Sequence, residues 1–275
     1  MKTGPRGEGC PQSLDLTSKK LFLLDMDGTL YLGEQVLPGA RAFLEKIRER
    51  GARAIFLTNN SSRGIEGYLQ KMRRLGLPAE ERDFLTSTDA TIHVLQTEYP
   101  GCRCFVMGTR SFCDQLESAG ISFTERYEEG VELVLLSNDT ELHFGKLRDA
   151  SRLLLEGEPV YLATNPDWVC PCEFGSVPDC GSFAQMLEHV CGRLPRVIGK
   201  PQPDVVRLAM ARCGVRPEET VIVGDRIYTD VACGVNAGID SVFVLSGEGT
   251  REDIVRFGIT PTAVYRSVKE LAEEL

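Results

Sequence analysis

Leu21-Phe22-Leu23-Leu24-Asp25-Met26-Asp27-Gly28-Thr29 joins an unbroken apolar run to two carboxylates and a glycine. Four consecutive apolar residues read as a strand covered on both faces, as in a parallel sheet. Buried carboxylates are costly unless they are paired or metal-bound. Two of them at the C-terminal end of a strand stand where open α/β sheets bind ligands. Gly28 would let the backbone approach a ligand closely and offer its N–H to an anion. Taken alone, the string reads equally well as an Asx turn or a calcium loop. The calcium loop fails on count: the twelfth residue from Asp25, where an EF-hand needs an acid, is Val36.

Outward from this stretch, short apolar runs alternate with amphipathic segments, which predicts α/β architecture with a doubly wound parallel sheet. Residues 38–47 read as a helix closed by Gly51, and residues 54–57 as a second strand. Ser61 and Ser62 offer N-caps, ahead of Arg63, to a helix that carries Ile65, Tyr68, Leu69 and Met72 and ends at Gly76. The rhythm returns late. A helix over 204–212 precedes a strand at 221–223, a helix ending near Gly238, a strand at 241–245, an edge strand at Val264-Tyr265 and a helix over 268–275. The middle has strands at 105–107, 133–136 and 160–163 and helices at 111–119 and 144–155. Residues 83–183 are therefore expected to form a smaller α/β insert. Residues 19–82 and 184–275 form a discontinuous core, and residues 1–18 a disordered tail.

Three further motifs fall at expected strand ends. Leu57-Thr58-Asn59-Asn60 brings a hydroxyl and two amides; helix capping is its plain reading. Gly199-Lys200-Pro201 brings a point cation suited to phosphate, and alone would be a surface lysine in a turn. Gly224-Asp225-Arg226-Ile227-Tyr228-Thr229-Asp230 brings two more carboxylates, and alone would be a capped helix start. In one parallel sheet all four motifs converge on one edge. Converging carboxylates repel unless a hard cation neutralises them, and an all-oxygen site that also takes phosphate suits Mg²⁺.

Composition excludes other classes. Charged residues total 31 basic and 40 acidic, a formal net charge of −9, which argues against nucleic acid as a partner. No apolar run is long enough to span a membrane. The first twenty residues lack the apolar region of a signal peptide, so a cytoplasmic enzyme is expected. Ten cysteines include no CxxC pair, so reduced thiols are expected over zinc or disulfides, with Cys170, Cys172 and Cys180 the remaining zinc candidates. His93, His143 and His189 are scattered and read as helix or surface residues. Gly247 and Gly249 follow a strand and could cradle phosphate, but read first as loop glycines.

The four motifs together resemble those of the haloacid dehalogenase-like (HAD) hydrolase superfamily, over essentially residues 20–275. Asp25 to Thr29 is similar to its first motif, Thr58 to the second, Lys200 to the third, and Gly224-Asp225 through Asp230 to the fourth. The long insert, with Ala163-Thr164-Asn165-Pro166-Asp167 inside it, is similar to that of the NagD-like, 4-nitrophenylphosphatase-type subclass IIA, where it forms a cap over the active site.

This resemblance implies a Mg²⁺-dependent phosphatase that hydrolyses small phosphate monoesters through an aspartyl-phosphate. Sugar phosphates and nucleotide monophosphates are the expected kind of metabolite. By the same resemblance Asp25 is the nucleophile and Asp27 the general acid and base. Mg²⁺ would be held by Asp25, the Asp27 carbonyl and Asp225, with Asp230 in support. Thr58, the Gly28 N–H and Asn59 would hold phosphoryl oxygens, and Lys200 would bridge them to Asp25. Asn165 and Asp167 are candidate substrate contacts. Met26 and Arg226 read as variable positions. Asp27 separates the chain from dehalogenases, whose halide leaves without a proton. Phosphoryl transfer to another alcohol and a silent sensor of phosphorylated ligands are the alternatives. A homodimer through the cap is expected.

Overall fold

The computed structural model describes residues 14–62, 64–172 and 174–275. Six parallel strands form the larger sheet, in the order Ala263–Tyr265, Asp240–Val244, Thr220–Gly224, Leu21–Leu24, Arg53–Thr58, Phe84–Thr86. Numbered along the chain this is 6-5-4-1-2-3. Its topological switch point lies between Leu21–Leu24 and Thr220–Gly224, where Leu24 pairs with Val223. The residues that follow, Asp25 and Asp225, open onto the crevice where such sheets bind ligands.

Leu21–Leu24 is buried throughout. Its side chains alternate between two apolar layers, as a strand period of two requires. Phe22 and Leu24 pack with Phe43, Ile47, Phe56, Val223 and Leu271 on one face. Leu21 and Leu23 pack with Ile55, Val94, Val205 and Leu208 on the other. Each such side chain stabilises the fold by roughly 1.5–3 kcal/mol. The second layer continues into Val106, Leu135 and Leu162 of the smaller sheet. The two sheets thus share apolar packing.

The smaller sheet has five parallel strands in the order Arg196–Val197, Val160–Ala163, Leu133–Leu136, Cys104–Met107, Phe123–Thr124. Sheet membership shifts the insert later at both ends than the expected 83–183. Phe84–Thr86 pairs with Arg53–Thr58 in the larger sheet, and Arg196–Val197 pairs with Val160–Ala163 in the smaller one. Short runs like these carry no local mark of the sheet they join, because pairing is a long-range choice. Two antiparallel hairpins, Tyr31–Leu32 with Gln35–Val36 and Val169–Cys172 with Gly175–Pro178, were also unforeseen.

Part of the expected 1–18 tail is structured. Leu16–Ser18 forms a 3-10 turn capped by Asp15, and Leu16 is buried, while residues 1–13 lie outside the described residues. Ser61 and Ser62 do not cap the next helix. Ile65–Arg74 begins after Gly64 with no side-chain bond to its first turn, and Arg63 lies outside the described residues. Ser62 instead donates to Asn60 Oδ1 at 2.7 Å, and Ser61 shares a hydrogen bond with Thr164 at 3.0 Å. After Arg226 the chain enters a π-turn, Ile227–Val231, before the helix Ala232–Ala237. Among the described residues, no helix is long and apolar enough to cross a membrane.

Candidate active site

Asp25 leaves its strand with its N–H bonded to Val223 O at 2.9 Å. Lys200, 4% exposed, donates to Asp25 Oδ1 and to Asp230 Oδ1, each at 2.6 Å. Asp230 is turned inward by the π-turn, and its Oδ2 accepts the Arg226 N–H at 3.1 Å. Carboxylate oxygens of Asp25, Asp225 and Asp230 all lie within 4.8 Å of one another. Three distant stretches of chain therefore meet in one cluster. Among the described residues this is the one acidic, histidine or cysteine group with metal-binding geometry, and Cys170, Cys172 and Cys180 have no part in it.

The cluster is electrostatically unbalanced. Burial, then Asp25 and Asp230, push the Asp225 carboxyl up to about 8. Burial pushes Asp230 up to about 6, against the pull of Lys200. Burial alone would lower the Lys200 ammonium, but Asp230 and Asp25 raise it above its ordinary value. Three carboxylates around one ammonium leave excess negative charge in a region of low polarity. A divalent cation with oxygen ligands fits that donor set.

Glycines permit this crowding. Gly28 has φ +84°, and a Cβ there would lie 2.3 Å from Asp225 Oδ2. A Cβ at Gly247 would lie 2.0 Å from the same oxygen and 2.7 Å from Gly28 Cα. The loop of Gly247 and Gly249 is thus a wall of the site, which its sequence reading missed. Within it Glu248 donates its N–H to Asp225 Oδ2 at 2.7 Å, Gly249 donates to Asp225 O at 3.1 Å, and Ser246 Oγ donates to Gly28 O at 2.8 Å. The available signal was a Gly-x-Gly beginning three residues after Asp240–Val244, a strand of the same sheet. We predict that Gly247→Ala displaces the Asp225 carboxylate and costs about 100-fold in kcat/KM, because a misplacement on the order of 1 Å has that effect. Wild-type kcat/KM in this variant would refute the wall's role.

Other expected roles change. The Gly28 N–H is not free for an anion: it donates to Tyr31 O at 2.7 Å, closing the turn after Asp27. The Asn59 amide is equally committed, donating to Asp167 Oδ2 and to Lys200 O, both at 2.9 Å. The Asn59 side chain therefore ties the lysine loop to the insert, and its amide group has no proton left for phosphate. Asn165 is fully buried and serves the same seam, donating to Asn59 O at 3.0 Å. It does not line the cavity.

The cavity, of about 260 Å³, is lined by Asp25, Asp27, Thr58, Asn59, Lys200 and Asp167 from the sequence reading. The Thr58 hydroxyl accepts the Asn60 N–H at 3.2 Å and meets the Tyr68 hydroxyl at 3.3 Å. The Asp27 side chain is 56% exposed and faces the Lys71 ammonium at 3.7 Å. Loss of water within the cavity raises the Asp27 carboxyl above its ordinary range, with Lys71 opposing and Asp25 adding to the shift. Lys71, Asp179 and Arg226 also line the cavity and were not singled out in the sequence as site residues. Arg226, read as a variable position, reaches Glu248 at 2.9 Å. No local signal marked Lys71, which comes from the middle of the helix Ile65–Arg74.

Residues 22–122 match a family model described as haloacid dehalogenase-like hydrolase, and residues 197–271 match one described as HAD-hydrolase-like. An acid sugar phosphatase of Staphylococcus aureus is 30% identical over 256 residues, covering 93% of this chain and 98% of its own length. The solved structure of a 4-nitrophenylphosphatase from Thermotoga maritima is 40% identical, with a TM-score of 0.87 over 94% of this chain and 98% of that one. A glycerol phosphate phosphatase from Mycobacterium tuberculosis, solved with magnesium, is 29% identical, with a TM-score of 0.86 over 94% of this chain and 78% of that one.

Proposed function

The chain belongs to the haloacid dehalogenase-like hydrolase family, in its NagD-like subclass IIA, and is a phosphoric monoester hydrolase; on that premise we propose that Asp25 is its nucleophile. The observation that carries the reading is Lys200, which holds Asp25 and Asp230 together beside Asp225. The Asp25 carboxylate forms a bond to phosphorus as the ester oxygen leaves. Asp27 gives its proton to that oxygen, and the alcohol departs. The now ionised Asp27 takes a proton from water as the water oxygen attacks phosphorus. The bond from phosphorus to Asp25 breaks, inorganic phosphate leaves, and both carboxyl groups return to their starting states. The raised proton affinity of Asp27 supports the acid role. Its exposed position beside Lys71 supports access to both alcohol and water.

Lys200 and the Thr58 hydroxyl orient phosphoryl oxygens. Asp25 and Asp225, with the Asp27 carbonyl and with Asp230 behind them, would hold Mg²⁺, which when bound offsets the repulsion between carboxylate and phosphate. The relatives named for sugar phosphate and glycerol phosphate support a small sugar or polyol phosphate as substrate.

Asp27→Asn tests the two-step scheme with 4-nitrophenyl phosphate. That leaving group departs without a proton, so the first step survives while hydrolysis of the intermediate is slowed by about 10²–10⁴-fold. Rapid-mixing measurements are expected to show a burst of one nitrophenolate per active site followed by slow turnover. Steady turnover at the wild-type rate, with no burst, would eliminate the scheme.

A further inference from the structure

The insert contributes Asp167, Val169, Cys170 and Asp179 to the cavity wall. Asp179 is 4% exposed. Its Oδ1 accepts the Cys180 N–H at 2.6 Å, which starts the helix Cys180–Cys191, and lies 3.4 Å from the Asn165 amide that donates to it. Its Oδ2 accepts no hydrogen bond from any described residue. Asp167 is arranged alike: Oδ2 takes the Asn59 amide, and Oδ1 takes none from the described residues. Each of these residues lines the cavity and leaves one carboxylate oxygen to which a ligand's donor group can bond.

Backbone, rather than flexible side chains, places this pair. Gly181 donates its N–H to Asp167 O at 2.8 Å, Asp179 donates to Trp168 O at 3.0 Å, and Asp167 donates to Asn165 Oδ1 at 2.9 Å. A Cβ on Gly181 would lie 2.2 Å from Pro166 O, so glycine permits the approach of the two loops. The cations of the cavity, by contrast, are engaged. Arg226 is paired with Glu248, Lys200 with Asp25 and Asp230, and Lys71 lies near Asp27 and 4.0 Å from the centre of the Tyr31 ring. On the insert side the charged groups in the cavity wall are Asp167 and Asp179, both acceptors when ionised.

The geometry points to Asp167 and Asp179 as the acceptors that read hydroxyl groups on the leaving alcohol. They admit polyol phosphates and reject esters whose leaving group carries a carboxylate or second phosphate there. This rests on Asp25 as nucleophile, which puts the phosphoryl group on the core side and the alcohol toward the insert. A hydroxyl donates to either free oxygen. Burial raises the Asp179 carboxyl to about 6, so above that pH it is ionised and a second anion meets like charge there.

The test compares kcat/KM from released phosphate for glycerol 3-phosphate, 3-phosphoglycerate and 4-nitrophenyl phosphate. The first two differ by a carboxylate in place of one hydroxymethyl group. The wild type is expected to favour glycerol 3-phosphate over 3-phosphoglycerate by about 100-fold or more, since like charges oppose one another in a desolvated site. Asp179→Ser keeps a hydroxyl to cap the helix at Cys180 while removing the charge. It and Asp167→Asn are each expected to shrink that preference by about 10-fold or more, the scale of one hydrogen bond to a charged group. A wild type that hydrolyses both esters equally well would overturn the inference. So would variants in which all three esters lose rate in parallel, since that marks a structural role only. A wild type inert towards 4-nitrophenyl phosphate would remove the phosphatase reading itself, and this inference with it.

Discussion

Asp25→Asn brings phosphate release at least about 10⁴-fold below wild type, the scale on which removing a nucleophile acts. The amide matches the carboxylate in shape but has neither its charge nor a comparable lone pair to offer phosphorus. Its oxygen can still accept from Lys200, now 2.6 Å from Asp25 Oδ1, so the lysine keeps both its partners. The fold is expected to survive. Asp25 is one of the charges that push the Asp225 carboxyl upward, so neutralising it relieves repulsion in the cluster. Thermal unfolding of metal-free protein should show a Tm no lower than wild type, beside the lost activity. Near-wild-type hydrolysis by this variant would leave the nucleophile without an owner.

Chelation with EDTA is expected to lower turnover by at least about 10³-fold, and added Mg²⁺ to restore it, because such ions supply several kcal/mol of transition-state stabilisation. Stability provides a second readout. The folded-state proton affinity of Asp225, with a pKa of about 8, stands far above that of an unfolded aspartate, and Asp230, at about 6, and Asp27 shift the same way. The folded protein then binds more protons than the unfolded chain between pH about 4 and about 8. Stability is accordingly full below that window and is lost as pH rises through it. Metal-free Tm should fall from pH 5 to pH 8. Saturating Mg²⁺ should flatten that slope, since the ion replaces the protons, and Asp225→Asn should flatten it without metal. Undiminished activity in EDTA, or a Tm that climbs across this range, would contradict a cation at the cluster.

Three of the expected motifs meet at one edge because they follow strands of the larger parallel sheet, whereas Lys200 reaches that edge from Arg196–Val197, a strand of the smaller sheet. Leu21–Leu24 and Thr220–Gly224 announce themselves as unbroken apolar runs, and each hands its next residue to the switch point. Roles assigned to backbone groups and amides fared differently. Whether the Gly28 N–H or the Asn59 amide is free depends on which acceptor arrives nearby, and Tyr31 O and Asp167 Oδ2 take them. Lys71 and Arg226 look like ordinary helix and turn residues until the cavity forms between them.

By itself the amino-acid order determined the α/β class, the charged groups available for chemistry, and the strand ends from which they emerge. Those properties are local: they follow from apolar periodicity and from the side chain next to each run. Only the tertiary structure decided which sheet the short strands Phe84–Thr86 and Arg196–Val197 join, that Gly247 abuts Asp225, and that Asp179 lines the cavity. These depend on pairings between residues far apart in the chain. No local preference encodes them, because their free energy appears only once the partner is in place.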